Sequence, residues 1–156
     1  MASGPDKLPE QTATPGMGLL DGTGVDARLR QAGIPLTLQR LAVGQVMLCA
    51  PVHLTADQVL SRVKGLIPEI SRATVYNTLK LFSERGLVRE LVIDSERTVF
   101  DSNTSPHPHI YNTETGELTD IGAADLRVVG SAKLPGDMEI EAVDIVVRVR
   151  KKPCAS

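Results

Sequence analysis

The chain has 156 residues, enough for one domain or two small ones, and 42% of them are apolar with no Trp, two Phe and two Tyr, so its core must be aliphatic. No run approaches the length of a membrane span and the start lacks the charged-then-apolar order of a secretory signal, so a cytoplasmic protein with no membrane partner is expected. The net charge of −2 is uneven: residues 25–93 hold nine Lys/Arg against five Asp/Glu, and residues 94–156 hold seven against eleven. A mildly basic front half that could face phosphates thus precedes an acidic back half that could hold cations.

Residues 1–23 are expected to form a disordered tail, because Pro5, Pro9, Pro15, Gly4, Gly16, Gly18 and Gly22 interrupt every possible period. From Val25 the pattern turns helical. Val25, Leu29 and Ala32 share one face and Gly33 is placed to end the helix. Thr37 is the N-cap of a second helix, expected to turn Leu38, Leu41, Ala42, Val46 and Cys49 inward until Pro51 stops it. Cys49 is read as core filler rather than a reactive thiol. Its distance from Cys154, with no CxxC anywhere, argues against both a disulfide framework and a structural zinc held by cysteines alone.

His53 follows in a short connection, where a ligand can be presented and a solvated histidine is equally common. Thr55-Ala56-Asp57-Gln58 is a capping box opening a third helix, with Val59, Leu60 and Val63 on its inner face and Gly65 at its end. Ser71 caps a fourth helix running to about Arg85, with Gly86 as its stop. Val75, Leu79 and Phe82, at i, i+4 and i+7, must face inward. Arg72, Tyr76 and Lys80 form the opposite stripe with Asn77 beside it, a set that can reach phosphates and base edges, although charged outer faces are the rule on amphipathic helices.

Two strand-like runs come next, Leu87 to Ile93 and Thr98 to Asp101, joined by the polar turn Asp94-Ser95-Glu96-Arg97. Helices followed by a hairpin is the order of a winged helix, whose second helix of the helix-turn-helix enters the major groove. The expected fold class is therefore α+β: a winged-helix DNA-binding domain over residues 24–101, then a small α/β metal-binding and dimerisation domain over 102–152 and a short tail at 153–156.

The stretch from Asp101 to Asp120 holds two of the chain's three histidines, His107 and His109, with an Asp at each end. Residues i and i+2 of an extended segment project the same way, and Pro106 and Pro108 press His107 into that geometry from both sides. The pair can pinch one metal ion, or belong to an ordinary polar loop. Further on, Glu117 to Ile121 reads as a strand. Glu139 to Arg150 reads as a longer one in which Ile140, Val143, Ile145, Val147 and Val149 are mostly buried.

From Val25 to about Arg150 the sequence resembles the ferric uptake regulator family of bacterial transcriptional repressors. Ile70-Ser71-Arg72-Ala73-Thr74-Val75-Tyr76-Asn77-Thr78-Leu79 is similar to the family's recognition helix, with Tyr76 at its DNA-contacting tyrosine. Gln39-Arg40 resembles its backbone contact near the start of the second helix. His53-Leu54-Thr55-Ala56 falls where the family places a metal-binding histidine, His107-Pro108-His109 matches its HxH, and Asp101 and Asp120 match its two carboxylate positions. The resemblance implies a homodimer on A/T-rich inverted-repeat DNA.

Three imidazoles and two carboxylates make a charge-balanced shell for Fe(II), Mn(II) or Zn(II). Asp at both carboxylate positions resembles the peroxide-responsive members, in which Fe(II) and hydrogen peroxide oxidise ligand histidines; here these would be His53 and His107. Asn103-Thr104-Ser105 and the segment from Leu134 also resemble the iron response regulators, some of which sense haem, although those carry a longer histidine run where this chain has Pro106 and Pro108. Residues 125–137, with Gly130, Pro135 and Gly136, lack the helix many members have there. A non-haem iron enzyme is the reading from another class, since two His and a carboxylate with open positions suffice for one. Five donors and no implied substrate pocket argue against it.

Overall fold

The computed structural model describes residues 24–154. The tail expected over 1–23, and the last two residues of the one at 153–156, lie outside them. Four helices come first: α1 Val25–Gln31, α2 Leu38–Leu48, α3 Ala56–Lys64 and α4 Arg72–Glu84. A two-residue strand, β1 His53–Leu54, stands between α2 and α3, so His53 is a strand residue and not part of a bare connection. The strands β2 Arg89–Val92 and β3 Thr98–Asp101 form the wing, with β1 added to β3 in the order β1-β3-β2. A second sheet, ordered β5-β4-β6, is built from β4 His109–Asn112, β5 Leu118–Asp120 and β6 Val146–Val149.

The helix starts follow from their caps. The Thr37 hydroxyl accepts from the Arg40 N–H, the Ser71 hydroxyl accepts from the Thr74 N–H, and Thr55 and Gln58 close a reciprocal capping box. Gly86, at φ +71, turns the chain out of α4 in the left-handed conformation glycine adopts without strain. Gly65 keeps a right-handed backbone (φ −66), so α3 ends there without using glycine's freedom.

A large aliphatic core joins Val25 and Leu29 of α1, Leu41, Val43 and Met47 of α2, Val59 and Val63 of α3, and Val75, Leu79 and Phe82 of α4. The face of α2 differs from the expected one. Leu38 is 47% exposed and Cys49 lies at the exposed C-cap, while Val43, Gly44, Met47 and Leu48 are buried. The reason is Gly44: a Cβ there would stand 2.5 Å from Val25 Cγ1, so the bare backbone lets α1 and α4 close on that side and turns Cys49 outward. Cys49 is therefore not core filler.

A smaller core ties the wing to the second sheet. Leu91, Ile93 and Val99 pack there with Tyr111, Leu118 and Val146. Arg89 reaches across to Asp144, and Arg148 donates to the Ile93 carbonyl.

The long last strand is shorter than expected. β6 is only Val146–Val149, parallel to β4, whose four residues offer pairing no further back. Ile140 and Val143 are 53% and 59% exposed, and Val147 and Val149 are exposed as well. Residues 125–137 form no helix, as the glycines and proline there lead one to expect. Among the described residues no helix is long and apolar enough to cross a membrane. Helical front, wing and small β-rich back make the molecule an α+β winged helix followed by a small second domain.

Candidate metal centre

Strand register brings the donors together. In the first sheet His53 pairs directly with Asp101, and in the second His109 pairs directly with Asp120. Directly opposed residues project from the same face, so each sheet presents one imidazole beside one carboxylate. His107, two residues before His109, adds the third ring. Its Nδ1 lies 2.6 Å from the Ser105 carbonyl, to which the ring N–H donates, and that bond aims Nε2 at the two aspartates.

The five ligand atoms all lie within 4.8 Å of one another. Asp101 Oδ2 is 3.4 Å from His53 Nε2, 3.2 Å from His107 Nε2 and 3.0 Å from His109 Nε2. Asp120 Oδ1 is 2.7, 2.9 and 3.3 Å from the same three nitrogens. Donors about 2.1 Å from one ion and at right angles stand about 3.0 Å apart, so this spacing is that of a coordination shell. His53 Nε2 makes the point separately: it is buried and makes no aligned hydrogen bond, although Asp120 Oδ1 is 2.7 Å away. The other two rings are hydrogen-bonded across the cluster, His107 Nε2 to Asp120 Oδ1 at 2.9 Å and His109 Nε2 to Asp101 Oδ2 at 3.0 Å, so all three imidazoles turn Nε2 toward the two carboxylates. All-nitrogen-and-oxygen donors suit Fe(II), Mn(II) or Zn(II).

Electrostatics prepares the same shell. Burial pushes the Asp101 carboxyl up, but the facing His53, the Asn103 N–H at 2.8 Å and His109 outweigh it and hold the group at about 2. The Asp101 carboxylate raises His53 above its usual value against the opposing push of burial. For His109, 1% exposed, burial prevails over Asp101 and lowers the pKa, so its ring is neutral and ready to ligate.

Two supports were not anticipated from the sequence. The Asn103 N–H on Asp101 and the Ser105 carbonyl behind His107 both belong to a run of Asx turns, in which Asn103 Oδ1 in turn accepts from the Ser105 N–H. The D-x-N-x-S spacing of residues 101–105 is the signal that could have shown them.

The residues expected to touch DNA lie on another face. Arg72, Tyr76, Asn77 and Lys80 are exposed along α4, and Gln39 is exposed and Arg40 half-buried at the start of α2. A cleft of about 870 Å³ between α4 and the wing is lined by Arg72, Tyr76 and Asn77 together with Arg97 and Thr55. A second, of about 250 Å³, sets Gln39 and Arg40 beside Asn77. Lys80 lines neither. Arg72 is engaged by Asp57 at 2.5 Å, both groups being largely exposed.

Known proteins share the sequence and the fold. The chain is 39% identical over 94 residues to the peroxide-responsive repressor PerR of Staphylococcus aureus (strain Mu50), a match covering 60% of this chain and 64% of that protein. It superposes on the ferric uptake regulator of Pseudomonas aeruginosa with manganese at a TM-score of 0.61 and 26% identity, covering 82% of this chain and 98% of the other. The fold is shared too with the Francisella tularensis ferric uptake regulator with iron, at a TM-score of 0.59 and 19% identity over 77% of this chain and 93% of that one. The sequence pattern described as "Ferric uptake regulator family" matches residues 31–148. On a match of that extent, the chain belongs to the ferric uptake regulator family.

Proposed function

We propose that this chain is a metal-dependent DNA-binding transcriptional repressor, working in the cytoplasm as a homodimer on A/T-rich inverted-repeat DNA. The observation that carries this reading is the convergence of five donors from both sheets: His53 and Asp101 come from the winged helix, and His107, His109 and Asp120 from the second domain. A divalent ion there, Fe(II) or Mn(II) and with the same donors Zn(II), ties the two domains together and fixes the spacing of two α4 helices in a dimer. Occupancy thereby becomes DNA affinity through linkage. Arg72, Tyr76, Asn77 and Lys80 then serve the major groove, and Gln39 and Arg40 the backbone beside it. The exposed apolar residues Val128, Val129, Leu134, Met138, Ile140 and Val143 support an interface with a second copy.

Within that reading the signal is hydrogen peroxide. Fe(II) held there would promote reduction of peroxide beside the ligand rings; overall each oxidised imidazole, His53 or His107, would gain one oxygen atom from one hydrogen peroxide, with one water released. Their side chains are 17% and 12% exposed against 1% for His109, so an oxidant arriving from solvent meets them first. An oxidised ring no longer offers its lone pair at Nε2, the ion is lost and DNA is released. The haem-responsive alternative would have to take its imidazole from this same cluster, because the chain's three histidines all belong to it.

The test is fluorescence anisotropy on A/T-rich inverted-repeat DNA at fixed salt, with Mn(II) and then with chelator. Tight binding lost on chelation is expected; equal binding in both conditions sinks the metal-dependent repressor. For the peroxide step, mass spectrometry after Fe(II) and peroxide treatment should find added oxygen on the peptides carrying His53 and His107, and two unmodified histidines would refute it.

A further inference from the structure

One side chain stands between the metal centre and the DNA face. Arg97 closes the turn of the wing, where its carbonyl accepts from the Ile93 N–H at 2.9 Å. On one side it lines the cleft shared with Arg72, Tyr76 and Asn77. On the other it lines a cavity of about 630 Å³ that also contains His53, Thr115 and Gly116. Its own anchor lies in the second domain: Arg97 Nη1 donates to the Tyr111 hydroxyl at 2.5 Å, and its guanidinium carbon stands 5.5 Å from the centre of the Tyr111 ring.

The second domain is shaped to receive it. Tyr111 is 6% exposed and packs against Leu91, Ile93 and Val99 of the wing. Arg148 approaches the same ring, 5.6 Å from its centre. Gly116, in the turn between β4 and β5, leaves the space Arg97 occupies; a Cβ there would come within 2.7 Å of Arg97 Nη1. Tyr111 follows the ligand His109 by two residues on β4, and the opposite strand β5 ends at the ligand Asp120. A metal that orders β4 and β5 therefore orders the socket in which Arg97 sits.

We propose that Arg97, socketed on Tyr111 and Gly116, is the positioning residue that conveys metal occupancy to the wing and so to the DNA face. The proposal rests on the metal-dependent repressor reading above. Ordering the socket holds the wing at one distance from α4, so that both elements meet the same duplex; a loose socket leaves the wing free to swing.

Tyr111→Phe removes the hydroxyl and keeps the ring in its core. Anisotropy with Mn(II) and with chelator gives the metal-dependent gain in DNA affinity, and a separate Mn(II) titration without DNA gives metal affinity. In Tyr111→Phe the gain should fall about ten- to a hundredfold, the scale of one lost hydrogen bond to a charged group, with chelated DNA affinity and Mn(II) affinity both within about twofold of wild type. Hydrogen exchange of residues 94–98 should quicken in the Mn(II) form. Adding Tyr111→Phe to Arg97→Gln should cost nothing more, since both remove one link. An undiminished gain in a correctly folded Tyr111→Phe overturns the proposal. So does a loss of Mn(II) affinity that accounts for the whole effect, since Tyr111 would then merely support the centre. A wild-type protein indifferent to Mn(II) overturns instead the repressor reading beneath it.

Discussion

Asp101 is the side chain on which the centre depends most heavily. It is 1% exposed, faces three imidazoles and keeps its charge down to about 2. Asp101→Asn preserves the shape but removes the charge and turns an N–H donor toward the rings. Substitutions behind metal ligands typically cost ten- to a hundredfold in affinity, so loss of a ligand charge should cost roughly a hundredfold or more, read by Mn(II) titration. The pH response belongs to His53. Its pKa is raised by Asp101, so just above the ordinary imidazole value part of the population is still protonated, and only the neutral ring ligates. Metal affinity must then fall as pH drops through the raised His53 value, with protons released on binding below it. His109 is shifted the other way and adds little there, and Asp101 remains a carboxylate throughout. Calorimetry of Mn(II) binding in buffers of different ionisation enthalpy measures the proton release, and affinity constant from pH 6 to 8 would contradict the assignment.

Among the elements, α2 is the tightest joint. Gly44 sits in its middle, where an added Cβ would meet Val25 Cγ1 at 2.5 Å with the Phe82 ring 3.9 Å away. Val25 is 1% exposed and β-branched, so it has little room to yield. Gly44→Ala should gain about 1 kcal/mol in helix propensity and lose about 1 to 3 kcal/mol to overpacking, for a net destabilisation measured by urea unfolding. The same joint explains why the inner face of α2 was only partly legible. Leu41 and Ala42 follow the helical period and are buried, but Leu38 and Cys49 share that period and are exposed, because glycine moves the contact toward Val43 and Met47. Helices with strong local signals were legible: the caps at Thr37, Thr55 and Ser71 and the Val75, Leu79, Phe82 stripe all stand as read. Strands carried less. Whether Ile140 and Val143 are covered depends on how far β4 extends to pair with them, which no local pattern encodes. The HxH and its flanking aspartates stood out as residue types, yet the register that sets His53 opposite Asp101 joins segments far apart in the chain, and only family resemblance linked them beforehand.

At the scale of the whole molecule, two links hold the domains together and they differ in kind. The small core around Tyr111, with Arg89 on Asp144 and Arg148 on the Ile93 carbonyl, is made by the chain's own apolar contacts and hydrogen bonds. The metal centre is conditional, since without an ion it gathers two carboxylates and three rings that have no aligned partner for His53 Nε2. Chelation should therefore release the second link and loosen the strands around it, β4 included, without dissolving the apolar core, a local opening rather than unfolding. Hydrogen exchange followed before and after chelator should lose protection at residues 53–54, 107–112 and 118–120, while α4, buried through Val75, Leu79 and Phe82 in the larger core, stays protected. Saturating Mn(II) at about a hundred times its dissociation constant should in turn add about 2.7 kcal/mol to the stability of the folded state, seen as a rise in Tm that chelator reverses. Loss of protection in α4 on the same timescale would show that the ion holds the winged helix itself together. Metal would then act on DNA by folding the reading head, and not by fixing the distance between two heads already folded.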